Sequence, residues 1–468
     1  MSRELAALVA SPQCWSTNVL QQVKQALQLL TAARQRDAQQ DVRREPPTAA
    51  DLVAFQQWLE KHTQLDDTTL PVAVEAVGGA GRGLVARRDI VRGERFITIP
   101  YDAVIASDLS HLSPTKLGRW DVATQDPLLS NFPSCMLALL VLAEACEGSQ
   151  SAFSPYVAVL PERFDIPVFY DESDFAGIEG SSLFEPSVKL LYNSLKQFFY
   201  IQQLIKTSWS RCPIPLQRFT LSNYLWALGV AMTRQNEIPV RHGNRVTSVL
   251  GLIPGWDMCN HEPSDAITTF SDPDKRLIAC HAMRDFKQNE EVTMFYGPRS
   301  SEHLLLYSGF VVPHNAFDRV TIQLGMDEAD PLAKIRHMLL QKEVSLMPVL
   351  LAADGTLRVE IDASGQVTMP QITRVIQILV MEKASLSAAL RASASIAVPG
   401  GTDTYSITDD ETMNVKRRLA AACQRRMKSL GLQRAACTVA TRRALFQLLF
   451  DNQEILLSNA LKSQCVQT

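Results

Sequence analysis

Three side chains capable of binding a metal or acting as a nucleophile alternate along one short segment: Asp257, Cys259 and His261. In an extended segment alternating residues face one side, so the three could act together. Cys280-His281 follows downstream, and the whole set could be taken for a zinc site. The spacing is not a usual zinc pattern, however, and the sequence contains no Cys-x-x-Cys pair. We therefore predict no metal and favour a buried, hydrogen-bonded Asn260-His261 pair.

Covalent or acid–base catalysis finds less support in the sequence. No Gly-x-Ser-x-Gly pattern occurs, and Cys259 has no partner base that the sequence can place. Paired carboxylates occur at Asp171-Glu172 and Glu290-Glu291, in turn-forming segments. Such pairs are typical of a solvated face, so we interpret them as surface charges.

The run Gly79-Ala80-Gly81-Arg82-Gly83 leaves two interpretations open. It lacks the Gly-x-Gly-x-x-Gly register, and a strand pattern follows it instead of a helix, so a phosphate cradle is disfavoured. It could be a flexible hairpin turn. It could equally be a backbone loop pressed close to a ligand, since glycine has no Cβ to prevent the approach.

A basic stretch from Lys416 to Arg443 contains nine Lys and Arg residues and no acid. One interpretation is a solvated helical face. The other is a docking surface for an acidic protein, because the rest of the chain must then be net acidic. Aromatic residues for base stacking are not interleaved, so nucleic acid is the weaker candidate.

The bulk composition is that of an ordinary globular protein. The chain has 468 residues, 46% hydrophobic and 20% charged, with a net charge of −3. This length predicts two or three domains, and the charge argues against a general polyanion binder. Nine scattered cysteines favour a reducing compartment over a disulfide framework. With no secretory signal or membrane-spanning run, we predict a cytosolic protein, with the nucleus as an additional location.

Hydrophobic periodicity predicts the elements that position these residues. Helical spacing occurs in 17–36, 135–146, 187–205, 221–232 and beyond 330, and Asp51 is predicted to cap a second helix. Strand patterns occur in 72–77, 84–86, 95–100, 246–252, 266–270, 276–283, 291–296 and 319–324. This order is not the alternation of a doubly wound sheet. It predicts an α+β fold in which two β segments surround a helical insertion.

Four segments resemble, in this order, the SET domain of the RuBisCO-lysine-methyltransferase-like group. They are Thr233-Arg234-Gln235-Asn236, Trp256-Asp257-Met258-Cys259-Asn260-His261, Phe295-Tyr296-Gly297 and Ser308-Gly309-Phe310. The first two segments, and the Pro-Tyr…Leu-Pro pattern within 154–171, are most similar to the actin-histidine N-methyltransferases. The resemblance covers most of the chain, from about residue 70 to residue 468.

The resemblance implies a SET domain of short β-sheets with a pseudoknot, interrupted by a helical insertion and followed by an all-helical substrate-docking domain. The implied segments are an N-terminal helical segment 1–70, SET 71–111, the insertion 112–232, SET 233–325 with the catalytic core, and the helical domain 326–468.

The resemblance also implies roles for individual residues. The cofactor would be S-adenosylmethionine, held by Arg44, Ala80, Gly81, Arg82, Arg234, Asp257, Met258, Cys259, Asn260, His261, Ser308, Gly309 and Phe310. Asn236 and Tyr296 would be catalytic, and Asn236, Trp256, Tyr296 and Arg299 would contact the substrate.

Asn236 narrows the choice between lysine and histidine as the methyl acceptor. A lysine must lose a proton before it attacks, and an aromatic cage helps to lower its pKa. An imidazole, with a pKa of ~6.5, is already mostly neutral and needs only to be oriented. An amide can do this by hydrogen-bonding one ring nitrogen and leaving the other free. In lysine-modifying relatives the corresponding position tends to be aromatic, so Asn236 favours histidine. Its position alone also fits a cap at a helix end.

We therefore expect a protein-histidine N-methyltransferase that modifies actin, acts as a monomer and binds neither nucleic acid nor membrane. Two alternatives remain: a lysine methyltransferase on the same fold, and a catalytically inactive SET-like adaptor. Intact Asn260, His261 and Tyr296 disfavour the adaptor.

Overall fold

The computed structural model describes most of the chain. The described ranges are 19–37, 46–63, 70–78, 81–264, 266–325, 330–344, 357–367, 376–395, 408–437 and 440–465. In these ranges no helix is long and apolar enough to span a membrane.

Helices account for most of the regular structure. They are α1 Val19–Asp37, α2 Ala49–His62, α3 Pro114–Leu117, α4 Asp121–Gln125, α5 Pro127–Asn131, α6 Pro133–Glu147, α7 Ser154–Ala158, α8 Glu172–Ile178, α9 Phe184–Thr207, α10 Leu221–Arg234, α11 Ser301–Tyr307, α12 Ala333–Val344, α13 Lys383–Ser395, α14 Asp409–Ala436 and α15 Arg443–Cys465.

The strands are short. They are β1 Val72–Val77, β2 Gly81–Ala86, β3 Arg95–Pro100, β4 Ile105–Ala106, β5 Asn236–His242, β6 Arg245–Leu252, β7 Thr269–Asp272, β8 Leu277–His281, β9 Glu291–Val292, β10 Arg319–Leu324 and β11 Leu357–Asp362. Within the described residues they form small sheets of order β1-β2-β9, β3-β8-β7, β4-β6-β5 and β10-β11. Every strand pair is antiparallel. The predicted α+β class is therefore confirmed.

The chain divides into two compact units. The first contains the described residues of 1–172, 185–298 and 305–309, and the second those of 173–184, 299–304 and 310–468. The strand β11 belongs to the second unit and pairs with β10, so this largely helical region also contains a small sheet. The predicted segment boundaries remain predictions.

Two helices form the centre of the first unit. Every residue of α6 from Cys135 to Glu144 is buried, and α10 is buried from Asn223 to Ala231. A helix that is apolar on all sides belongs in a core, and α6 and α10 pack against each other. The side chain of Thr220 caps α10 by accepting a hydrogen bond from the main-chain nitrogen of Asn223. This packing fixes the end of α10, where the candidate site begins.

The prediction that Asp51 is the N-cap of α2 is wrong, although Asp51 does take part in the capping. Thr48 is the N-cap, and its hydroxyl accepts a hydrogen bond from the main-chain nitrogen of Asp51. The Asp51 carboxylate accepts one in return from the main-chain nitrogen of Thr48, at 2.8 Å. This reciprocal capping box places the acid three residues inside the helix. The strand predicted at 291–296 is also shorter, ending at Val292.

Gly229 lies in the middle of α10, where two aromatic rings approach the helix. A Cβ at this position would lie 2.7 Å from Cδ2 of Phe164 and 3.0 Å from Cε2 of Phe169. Alanine is a better helix former by about 1 kcal/mol, but overpacking of this kind costs about 1–3 kcal/mol. We therefore expect Gly229→Ala to lower the melting temperature, measured by thermal unfolding.

The matched control is Gly431→Ala in α14, because a Cβ there would meet no heavy atom within 4 Å. Its melting temperature should stay the same or rise. If Gly229→Ala melts at or above the parent protein, the rings do not require glycine.

Candidate active site

A tight turn carries the segment that the sequence singled out. Residues Trp256–Met258 form a single 3₁₀ turn, preceded by Gly255 with φ of +87°. A Cβ on Gly255 would also lie 2.7 Å from Cδ1 of Leu59, so both backbone angle and packing require glycine. The turn is buried, and the chain then extends through Cys259 to His261.

A buried carboxylate anchors this turn. The side chain of Asp257 is 1% exposed, and its Oδ2 lies 3.8 Å from Nη1 of Arg234. The hydroxyl of fully buried Tyr156 donates a hydrogen bond to the same oxygen. Arg234 Nη1 also donates to the main-chain oxygen of Asp257 at 2.6 Å. One residue from α7 and one from α10 therefore hold the turn in place.

Burial also changes the acid–base behaviour of this cluster. Desolvation raises the pKa of Asp257 to about 6, although Arg234 and Tyr156 both oppose the rise. The other carboxylate oxygen, Oδ1, is buried and has no hydrogen-bond partner among the described residues. Tyr156 lies in the Pro-Tyr pattern noticed in the sequence, but nothing in that pattern connected it to Asp257.

Asn260 joins two strands of the β1-β2-β9 sheet. Its Nδ2 donates to the main-chain oxygen of Arg82 at 3.1 Å and to Oε1 of Glu291 at 2.6 Å. Glu291 was interpreted as a surface charge; it is half-buried, and its carboxylate also accepts this hydrogen bond. Gly83 makes the approach possible: a Cβ there would lie 2.7 Å from Oε1 of Glu291.

His261 and Tyr296 are held together by the main chain. His261 and Met294 form an isolated parallel β-bridge. The main-chain nitrogen of Tyr296 donates a hydrogen bond to Nδ1 of His261 at 3.2 Å. The hydroxyl of Tyr296 donates to the main-chain oxygen of Cys259 at 2.9 Å. The phenol is therefore fixed at both its backbone and its hydroxyl, against the segment that Asp257 anchors.

Asn236 begins β5, two residues after α10 ends. Its Nδ2 donates to the main-chain oxygen of Arg234 at 3.0 Å, which satisfies one carbonyl of the last helical turn. The capping interpretation is thus realised in part. Its Oδ1 accepts no hydrogen bond from the described residues, so the amide retains an acceptor of fixed orientation.

The remaining predicted residues lie in several different segments of the chain. Trp256 is buried, with its ring 6.1 Å from that of Phe96. Gly309 packs on the main chain of Asp165, since a Cβ there would lie 3.2 Å from its nitrogen. Ser308 also lies in the first unit, whereas Arg299 and Phe310 belong to the second. Arg44 and Ala80 lie outside the described residues.

The glycine-rich run is described from Gly81 onward. Gly81 has φ of +84° and opens β2, and a Cβ there would meet no heavy atom within 4 Å. The guanidinium of Arg82 lies 4.0 Å from Oε1 of Glu162, and burial lowers the pKa of Arg82. Gly81 therefore has open space at its Cα, and Arg82 places a charge next to it.

The two cysteines of the predicted cluster, Cys259 and Cys280, are inert buried thiols. Cys259 and Cys280 are buried, and desolvation raises the pKa of both thiols well above the usual range. A buried protonated thiol is a poor nucleophile and a poor metal ligand. Within the described ranges, no three His, Cys, Asp or Glu residues are placed to hold a metal ion.

Some side chains of the basic stretch form ion pairs within the second unit. Arg434 forms ion pairs with Asp451 and Glu454, and Arg442 forms one with the buried carboxylate of Asp174. The exposed members are Arg417, Arg425, Lys428 and Arg443. The solvated-face interpretation fits this second group.

The raised pKa of Asp257 predicts how stability depends on pH. Between its ordinary value of 3.8 and about 6, the folded protein binds this proton more tightly than the unfolded chain. The stability from this group is therefore present below pH 4 and lost as pH rises through 6, by about 3 kcal/mol in total. Asp257→Asn has no such proton, so its free energy of unfolding should rise relative to the parent over this range.

Urea unfolding at pH 4, 5, 6 and 7 measures this difference. Asp102→Asn is the control, because the side chain of Asp102 is 82% exposed. A difference between parent and Asp257→Asn that stays constant with pH would show that Asp257 does not titrate in this range.

Comparison with known proteins agrees with this geometry. A family profile described as "SET domain" matches residues 81–297. Proteins named actin-histidine N-methyltransferase are similar over 263 residues, or 56% of this chain, at 34% identity for Canis lupus familiaris and 33% for Homo sapiens. The alignment covers 43% of those relatives, so the chain matches less than half of their length.

Solved structures extend the similarity beyond the family profile. Rubisco LSMT bound to sinefungin and monomethyllysine has a TM-score of 0.66 at 18% identity, covering 90% of this chain and 92% of that one. Rubisco LSMT bound to AdoMet has a TM-score of 0.63 at 18% identity, with the same coverage. At this identity the match establishes the fold. The resemblance found in the motifs is confirmed at this level: residues 81–297 match the SET-domain profile, and the fold is that of the solved Rubisco LSMT structures.

Proposed function

We propose that this protein is an S-adenosylmethionine-dependent protein-histidine N-methyltransferase and that actin is its substrate. The observation that carries the proposal is Asn236, an amide with one fixed donor and one available acceptor at the start of β5. The names of the similar proteins support both the histidine acceptor and actin.

The residues present fit the cofactor. The segment 257–261, Arg234 and the open turn at Gly81 would hold it, and the buried Oδ1 of Asp257 still lacks a partner among the described residues. Solved SET domains of the same fold are described as bound to AdoMet and AdoHcy. S-adenosylmethionine, when bound, supplies a methyl group on a sulfonium that a neutral nitrogen can attack.

Asn236 would select the reactive nitrogen of the acceptor. Because its Nδ2 is engaged with the Arg234 carbonyl, its Oδ1 is the group that can accept a hydrogen bond from an imidazole N–H. That bond would fix the proton on one ring nitrogen and leave the lone pair of the other free to attack. No strong base is needed, since a histidine side chain is mostly neutral near pH 7.

Tyr296 would align the acceptor with the cofactor segment. Its hydroxyl is already hydrogen-bonded to the Cys259 carbonyl, so the ring has little freedom to move. Trp256 would wall the acceptor pocket, and Arg299 would contact the substrate chain. Orientation of this kind can lower the activation barrier of a transfer reaction by several kcal/mol. Positioning would therefore be the main contribution to catalysis.

Lysine is the second candidate acceptor. Rubisco LSMT, which has the same fold, is described as bound to lysine and to monomethyllysine. The two candidates differ in what the pocket must do, since lysine has to be deprotonated and histidine has to be oriented. Asn236 suits the second task. Cytoplasmic location, with the nucleus as an additional location, remains a prediction.

Purified actin, incubated with the protein and S-adenosylmethionine and then analysed by mass spectrometry, tests the acceptor. We expect the methyl group on a histidine. Methylation of lysine alone would overturn the histidine proposal. No methylation, together with no thermal shift by S-adenosylmethionine or S-adenosylhomocysteine, would instead favour a catalytically inactive adaptor.

Asn236→Phe tests the orienting role. We expect histidine methylation to slow by about 100-fold, since loss of one oriented polar group at a reacting centre has effects of this size. Asn244→Ala is the matched control, because Asn244 is exposed in the turn between β5 and β6 and should leave the rate unchanged. Unchanged turnover in Asn236→Phe would show that another group orients the acceptor.

A further inference from the structure

A separate cavity of about 560 Å³ lies in the first unit. It is lined by residues 107–109 after β4, by residues between 124 and 136, and by Glu237 and 248–250 of β5 and β6. Cavities that bind ligands usually measure about 300–1,000 Å³. Nothing in the candidate active site lines this space, which we call the β5–β6 cavity.

Glu237, which lines the β5–β6 cavity, lies on the opposite face of β5 from Asn236. Successive side chains of a strand point to opposite faces, so Asn236 and Glu237 diverge. Glu237 pairs with Leu250 across the ladder, and its Oε2 accepts a hydrogen bond from Oγ of Ser248 at 3.3 Å. Glu237 and residues 248–250 line the cavity, so it begins one residue from the proposed acceptor site.

The lining combines an apolar floor with negative charge. Leu109, Leu129 and Met136 are all at most 4% exposed. Asp108 and Glu237 are the charged lining residues, and the lining contains no Lys or Arg. Such a cavity favours a cation that carries an apolar stem.

Neighbouring groups leave this charge uncompensated among the described residues. Oδ1 of Asp108 accepts a hydrogen bond from the main-chain nitrogen of Ser110 at 3.1 Å, and Glu237 accepts one from a hydroxyl. Both donors are neutral. His111, which lies near Asp108, does not help, because burial lowers its pKa to about 4 and leaves the imidazole neutral.

The position of β5 suits an extended peptide. In the sheet β4-β6-β5 this strand is at the edge, so a chain can cross it without breaking a strand pair of that sheet. We infer that the β5–β6 cavity receives a Lys or Arg side chain of the substrate, a few residues from the acceptor. This inference rests on the proposed function, because it takes Asn236 as the position of the acceptor.

Fluorescein-labelled peptide pools with a central histidine test the inference by binding, independently of methylation. Each pool fixes Lys, Arg, Gln or Glu at one flanking position and randomises the others. Fluorescence anisotropy, measured with S-adenosylhomocysteine present, gives the affinity of each pool. We expect Lys and Arg pools to bind about tenfold tighter than the Glu pool at one position, and about equally elsewhere.

Variants of the lining residues test whether the β5–β6 cavity causes the preference for Lys and Arg. Glu237→Lys should reverse the preference at that position, and Asp108→Asn should weaken it. Glu237→Gln, a milder change at an exposed residue, covers the case in which the lysine variant misfolds. Glu75→Lys on β1 is the matched control, since Glu75 is exposed and lies outside the cavity. It should leave the preference intact.

Competition with small cations shows whether the cavity binds a side chain of a peptide or any free cation. N-acetyl-lysine amide, arginine and spermidine should displace the Lys pool only weakly, because they lack the flanking chain. Equal affinity of all pools, or a preference unchanged in Glu237→Lys and Asp108→Asn, overturns the inference. So does binding of spermidine as tight as that of the best pool. Charge-selective binding without methylation of any pool would instead sustain the cavity and count against the proposed function.

Discussion

The candidate site depends on one buried carboxylate. Asp257 loses its hydration when the turn around it is buried, and the cost is offset only in part by Tyr156 and Arg234. Because these partners come from α7 and α10, the carboxylate holds two helices and the central turn in one arrangement. The phenol of Tyr296, which is hydrogen-bonded to the Cys259 carbonyl directly after the turn, depends on that placement.

Arg234 links this anchor to the proposed acceptor position. Its side chain reaches the main-chain oxygen of Asp257, while its own carbonyl accepts the amide of Asn236. The last residue of α10 therefore fixes both the segment 257–261, which we propose holds the cofactor, and the amide that we propose orients the acceptor. Small displacements of α10 would move both together, which is why the close packing of α6 and α10 bears on chemistry as well as stability.

Much of this could be predicted from local pattern. The central helices, most strands and the motif containing Asp257 to His261 depend on periodicity and short spacing, which neighbouring residues determine. The role of Glu291 could not be predicted, because a carboxylate in a turn is usually solvated. Its partner, Asn260, lies 31 residues away, and the parallel bridge between His261 and Met294 joins the two segments. The error over Asp51 has a different origin, since either residue of a capping box can be mistaken for the cap.

The sequence by itself determined the class of fold, the SET domain and the residue types available for chemistry, because these follow from patterns within short segments. Only the tertiary structure decided which groups share a hydrogen bond. Tyr156 and Asp257 are separated by 101 residues, and their contact exists only once the core excludes water around them. Likewise, strand pairing alone placed Glu237 at the β5–β6 cavity, on the face away from Asn236. Burial and pairing are properties of the folded chain, and no local pattern encodes them.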